Sequence, residues 1–359
     1  YSAVYPKPTN AGWETQFLPG LKPGDSLLHL FERPSHLLDG MGSGACSRGR
    51  TTHPIIETGN VQGSSGERHE VYTLPEGEVV MHRIIDWNEL WKAIHVSSPE
   101  RVEKDRDPAA VWDKRAAAYQ QATRGEKRAT EQELGTLDLR PGDTVLDMGA
   151  GTGRLAVPIA RTAAHVTALD PSGGMLSILR ERMAAEGRTN YSCVKMRWED
   201  TVIGRDIEPH DVAIAAFSLG FCDLAAALQK LDAAALRTVY LFWHAGEWRS
   251  PDEMALYRTV FGEEAAMQKG YPDYSYPVNI LHDAGIYPNV RIYHALWDAV
   301  YDSVEDAVQT WAAMHNPDLA DLSPVREYFS RTLRRDESGK YVETAVRRTA
   351  AIWWEKEEE

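Results

Sequence analysis

Val145-Leu146-Asp147-Met148-Gly149-Ala150-Gly151-Thr152-Gly153-Arg154 runs an apolar strand directly into a glycine-rich turn. Glycines just past a buried strand permit a tight turn and let a ligand approach the backbone closely. Nicotinamide enzymes use a similar loop, and two details argue against that reading here. The dinucleotide fingerprint needs a glycine where Arg154 stands, so the pattern is G-x-G-x-G and not G-x-G-x-x-G. Asp147 sits two residues before the first glycine, where its charge would repel a pyrophosphate but would suit a cationic ligand. A third detail lies one strand on. Asp170 ends the apolar run Val166–Asp170, where a carboxylate can accept both hydroxyls of a ribose. The loop and the two acids together favour a nucleoside that carries ribose and positive charge but no phosphate, as S-adenosylmethionine (SAM) does.

Outward from this stretch, short apolar runs alternate with amphipathic segments. The predicted strands are Thr144–Met148, Val166–Asp170, Tyr191–Met196, Asp211–Phe217 and Thr238–Trp243. The predicted helices between them are Arg154–Ala163, Gly174–Glu186 and Leu224–Ala234. Such alternation implies a parallel sheet with helices on both faces. Two more strands, Val290–Leu296 and Val346–Trp354, complete a Rossmann-like, doubly wound, seven-stranded α/β sheet. Helical insertions are expected over about 246–276 and 303–335. Upstream, Trp87, Leu90, Trp91 and Ile94 recur at helical spacing, and Pro108 through Tyr119 forms a second helix. Residues 1–80 read differently, as a β-rich or irregular appendage before a main domain at 81–359. In the appendage Leu27–Phe31 is a short strand, and His69–Thr73 pairs with Glu78–Arg83 across the Pro75-Glu76-Gly77 turn. The glycine-rich Leu38–Gly44 imitates the later motif, but no adequate strand leads into it, and it reads as a loop.

Residues 141–243 resemble the core of the class I SAM-dependent methyltransferases. Asp147, Gly149, Ala150, Gly151 and Gly153 match that family's first motif, which wraps the methionine portion of the cofactor. Asp170-Pro171-Ser172 with Met175-Leu176 is similar to its D-x-S-x-x-M-L second motif, with Asp170 on the ribose. Arg197-Trp198-Glu199-Asp200 falls at the adenine position, where Trp198 departs from the usual small residue and either Glu199 or Asp200 meets the adenine amine. Trp112 through Tyr119 resembles the aromatic helix that covers the cofactor in small-molecule members, with Tyr119 as gate. The resemblance implies SAM as cofactor and methyl transfer as the reaction.

Ligands in such a fold collect beyond the carboxyl ends of the strands. That places Phe217-Ser218-Leu219-Gly220 and Trp243-His244-Ala245-Gly246 in the pocket, under an aromatic lining of Tyr119, Trp243, Trp248, Tyr271, Tyr274 and Tyr276. Methyl transfer needs a base only when the acceptor must shed a proton, and His244 is the candidate. Family members that methylate exocyclic amines carry Asn/Asp-Pro-Pro-aromatic after the fourth strand. This chain has Ala216-Phe217-Ser218-Leu219 there, which disfavours such chemistry. Asp223 is the sole nearby carboxylate, so no metal is expected. A formal charge of −14, from 39 basic and 53 acidic residues, argues against a general nucleic-acid binder. The three cysteines, Cys46, Cys193 and Cys222, are scattered, and no apolar run approaches membrane-spanning length. The expectation is a cytoplasmic methyltransferase acting on a small molecule or a peptide side chain. The alternatives are a methyltransferase of a specific protein partner and a SAM-binding module without turnover.

Overall fold

The computed structural model describes residues 85–356 apart from 269–271 and 317, together with four strands nearer the start of the chain. By its contacts the chain divides into two compact units, Tyr1–Val80 and Met81–Glu359. In the first unit Tyr5–Thr9 pairs antiparallel with Gly12–Gln16, and Glu57–Gln62 with Arg68–Thr73. The strand expected at His69–Thr73 is present, but its partner precedes it in the chain. Leu27–Phe31, Leu38–Gly44 and Glu78–Arg83 lie outside the described residues.

The second unit is built on seven long strands: β1 (Thr144–Met148), β2 (His165–Asp170), β3 (Tyr191–Lys195), β4 (His210–Ala216), β5 (Ala235–His244), β6 (Asn289–Tyr301) and β7 (Tyr341–Glu355). They lie in the order β3-β2-β1-β4-β5-β7-β6. β1 to β5 are parallel, whereas β7 runs antiparallel to β5 and to β6. A two-residue strand, Arg334–Arg335, pairs with β7. The chain reverses its lateral direction at β1, moving out to β3 and then back to β4, so a crevice opens where β1 and β4 diverge.

The apolar continuity of β1, β2 and β4 follows from cover on both faces. On one face Leu146, Ala213, Leu241 and Trp354 pack with Trp91, Leu228 and Leu281. These come from α1 (Trp87–Val96), α7 (Leu224–Ala233) and α10 (Ser275–Asp283). On the other, Val145, Ile214 and Phe242 pack with Ile159 and Leu179. These come from α5 (Ala156–Ile159) and α6 (Gly173–Ala185), and Trp353 borders this layer. α2 (Pro99–Arg106), α3 (Pro108–Ala122) and α4 (Lys127–Leu134) precede the sheet in the chain.

The helix expected over Arg154–Ala163 contracts to four residues. Pro158 has no N–H for the Arg154 carbonyl, and its ring crowds that carbonyl. Residues before Ala156 form turns instead. The insertions hold α8 (Pro251–Phe261), α9 (Glu263–Gln268), α11 (Val304–His315) and α12 (Ser323–Thr332). Leu256, Tyr257, Trp311, Val325 and Phe329 give them a small apolar core of their own.

Candidate active site

The β1 turn is set by backbone sterics. Gly149, Gly151 and Gly153 have φ of 75°, 53° and 81°, the left-handed region that L side chains avoid. At Gly149 a Cβ would lie 2.4 Å from Ser218 Cβ, so the β1 and β4 loops touch. Ser218 Oγ completes the contact by donating to the Met148 carbonyl at 2.8 Å. At Gly151 the nearest atom to an added Cβ is Tyr119 Cε1 at 3.9 Å, which leaves that face of the loop open toward α3.

Asp170 is fixed at the tip of β2. One carboxylate oxygen accepts the Gly151 amide at 2.9 Å and the other accepts the Ser172 amide at 2.8 Å. Burial pushes its carboxyl up to about 6, against the lowering influence of those two amides. Ser172 caps α6 through the Met175 amide and donates to Asp113 of α3. Asp113 also accepts the Gly174 amide at 2.8 Å.

A cavity of about 440 Å³ opens above these strand tips. One end is walled by Gly149, Gly151, Asp170, Pro171, Met175, Trp198 and Glu199. The other holds Tyr119, Glu126, Arg154, Phe217, Trp243, His244, Trp248 and Trp297. Asp147, Ala150, Gly153 and Ser172 are not part of its wall. Asp147 is buried behind the loop, where it accepts the Ala156 amide, and burial pushes its carboxyl up to about 7. One carboxylate of the expected pair therefore faces the crevice, and the second braces the turn.

Trp198 is 2% exposed and donates its indole N–H to the Ala227 carbonyl, so it is both wall and core. Glu199 pairs with Arg197 at 3.2 Å.

The second end of the cavity is aromatic. Phe217 is the one non-glycine among the described residues with positive φ, 55°. This conformation costs about 1–2 kcal/mol and carries its ring into the cavity. Its centroid lies 5.2 Å from His244, 5.3 Å from Trp248 and 5.2 Å from Trp297. His244 lies 4.2 Å from Trp248 and 4.7 Å from Trp243. Burial first, then Arg347 and Arg249, pulls its imidazole down to about 3. Tyr119 lines the cavity beside Trp112, and burial raises its phenol well above the ordinary range. Tyr274 and Tyr276 turn away from the cavity to pack beside the Leu146–Trp354 layer. Tyr271 lies outside the described residues.

Two groups that the sequence reading did not select stand out. Arg154 forms an ion pair with the fully buried Glu133 at 2.7 Å, lies 3.7 Å from Glu126, and sits over the rings of Phe217 and Trp297. Burial pushes the Glu126 carboxyl up to about 8. The seven-residue spacing of Glu126, at the N-cap of α4, and Glu133, in its last turn, brings both to the same side, the sequence signal that a buried cation needs them. Trp297, midway along β6, had no such signal. Asp223 caps α7 and pairs with Lys92 at 2.9 Å. Among the described residues no three His, Cys, Asp or Glu side chains converge as a metal site, and no helix is long and apolar enough to cross a membrane.

Comparison with known proteins gives a match over residues 145–237 to the family described as methyltransferase domain. An uncharacterized protein of Haemophilus influenzae is 27% identical over 251 residues, which cover 69% of this chain and 89% of that one. The ribosomal RNA small subunit methyltransferase A of Thermotoga neapolitana is 26% identical over 151 residues, 42% of this chain and 50% of that one. The chain thus spans about half the length of that named relative. A putative methyltransferase of Bacillus halodurans, known by crystal structure, aligns over 64% of this chain and 99% of its own with 14% identity and a TM-score of 0.42.

Proposed function

We propose that the chain is a class I SAM-dependent methyltransferase, a reading supported by the family match over residues 145–237, and that it methylates a small molecule or a peptide side chain held in the aromatic end of the cavity. The observation that carries this reading is the continuity of the two ends. The ribose-type carboxylate Asp170 and the rings of Phe217, Trp248 and Trp297 line one space of about 440 Å³. That is the size range of small-ligand sites.

The residues present fit the cofactor. Gly151 leaves the loop open on the cleft side, and Asp170 holds an oriented carboxylate with lone pairs to spare for a ribose diol. Trp198, Met175 and Pro171 supply apolar wall for the adenine, with Glu199 or Arg197 at its edge. Asp147 contributes by bracing the turn from behind. When bound, SAM supplies a methyl group on a positively charged sulfur that becomes neutral on transfer.

The chain's own residues orient and exclude water. Tyr119 covers the cleft from α3, while Phe217 and Trp248 present flat faces that hold a partner in line. His244 is a neutral imidazole in this setting and a weak proton acceptor, so its contribution is shape and hydrogen bonding. The tetrapeptide at the end of β4, Ala216-Phe217-Ser218-Leu219, supports an acceptor other than an exocyclic nucleobase amine.

Isothermal titration tests the reading. SAM and its demethylated product S-adenosylhomocysteine (SAH) are expected to bind in the micromolar range, and Asp170→Ala to abolish both. Undiminished binding in that variant would refute the ribose assignment.

A further inference from the structure

The aromatic end of the cavity has the composition of a cage for an ammonium group, and its electrostatics are the opposite. A cation is attracted to a ring face because that face carries the negative part of the quadrupole. Here guanidinium groups already lie over several of those faces. Arg154 lies 5.8 Å from the Phe217 centroid and 5.4 Å from that of Trp297, and Arg347 lies 4.7 Å from that of Trp248. Each draws ring electron density toward itself. The opposite face is left poorer for a cation and better for stacking an electron-rich, anionic π-system.

The carboxylates do not reverse this. Glu133 is bound to Arg154 and Glu253 to Arg347, each pair matching one charge with one. Glu126, which lines the aromatic end of the cavity, stands 3.7 Å from Arg154. Burial favours its protonated form near neutrality, so it offers a hydrogen-bond donor more readily than a negative charge. Burial first, then Arg347 and Arg249, oppose protonation of His244.

Building on the reading of this cavity as a methyl-acceptor site, we propose that it takes a flat, conjugated molecule bearing an ionised oxygen, a carboxylate or a phenolate, and rejects amines in their ammonium form. The planar body stacks among Phe217, Trp248 and Trp297. The oxygen is held by the field of Arg154 and by the protonated Glu126.

The test uses the full chain saturated with SAH and three probes of one shape: 2-naphthoate, 2-naphthalenemethanol and 2-naphthylmethylammonium, each titrated by calorimetry at pH 7. Naphthoate is expected to bind roughly tenfold more tightly than the alcohol, and the ammonium to bind more weakly than either. Trp248→Leu is expected to weaken naphthoate binding by about tenfold. Ammonium binding equal to or tighter than naphthoate, no preference among the three, or naphthoate binding untouched in Trp248→Leu would each overturn the proposal. The wild-type ranking decides the charge preference even if that variant folds poorly. Failure of SAH itself to bind would instead strike the cofactor reading on which this proposal rests.

Discussion

The carboxylate of Asp113 on α3 accepts the hydroxyl of Ser172, the residue that caps α6, and so ties α3 to the loop that follows Asp170. The Gly174 amide adds a second bond to the same carboxylate at 2.8 Å. Tyr119, which lines the cavity, lies less than two turns further along α3, so this tether anchors the helix that carries it.

Asp113→Ala is therefore expected to weaken SAH binding by roughly threefold to tenfold, the scale of a lost charged hydrogen bond, and to increase amide exchange along α3. The Ser172 hydroxyl, then the Gly174 amide, holds the Asp113 carboxyl below the ordinary carboxylate range. The tether's contribution is thus present near neutrality and lost as pH falls through that depressed value. Unchanged exchange in α3 would show that the tether does not anchor that helix.

Gly149→Ala should destabilise the fold by about 2 kcal/mol or more, from a disfavoured backbone conformation together with a steric clash. The clash is with Ser218 Cβ at 2.4 Å, and φ is 75°. Adding Ser218→Gly removes the atom that is struck but not the backbone strain. The double variant should recover part of the lost melting temperature, and no recovery would place the defect in φ alone.

Much of the sheet was legible because its physics is local. Buried parallel strands give continuous apolar runs, and the β1 loop announces itself by glycines that no other residue can replace. Asp170 stands at the end of β2, where its apolar run places it. What escaped depends on partners distant in sequence. Asp147 reads as a ligand group until the turn closes in front of it, and Tyr276 reads as lining until α10 packs it onto Trp87 and Trp91. Arg154 was informative only as a missing glycine, and its role needed α4 to bring Glu126 and Glu133 to it. Trp297 enters the site from a strand about 80 residues beyond Phe217, and no spacing rule connects the two.

Asp147→Asn provides a test of the bracing role. Burial lifts the Asp147 carboxyl from 3.8 to about 7, so ionisation favours the unfolded chain. The native protein loses stability as pH rises through that interval and holds it below. An uncharged amide oxygen can accept the Ala156 amide equally well, without the cost of a buried charge. The gain in melting temperature of the variant should accordingly be larger at pH 8 than at pH 5. An equal change at both values would mean that the folded Asp147 carboxyl is already ionised at pH 5, so that burial does not raise it.

His244 offers the last test, because two roles predict opposite titrations. A general base working near neutrality needs a pKa near the working pH, whereas burial, then Arg347 and Arg249, holds this imidazole near 3. Its ring signals, assigned by their loss in His244→Gln, should show no inflection between pH 5 and 8. Exposed histidines titrate in that window. If the ring is neutral throughout, its value to the site is a fixed hydrogen-bonding edge among Phe217, Trp243 and Trp248. SAH affinity in His244→Gln should then stay within about twofold of wild type, since no charged contact is lost. An inflection near pH 6 to 7 would favour the catalytic assignment and require that the field of the two arginines be neutralised in solution.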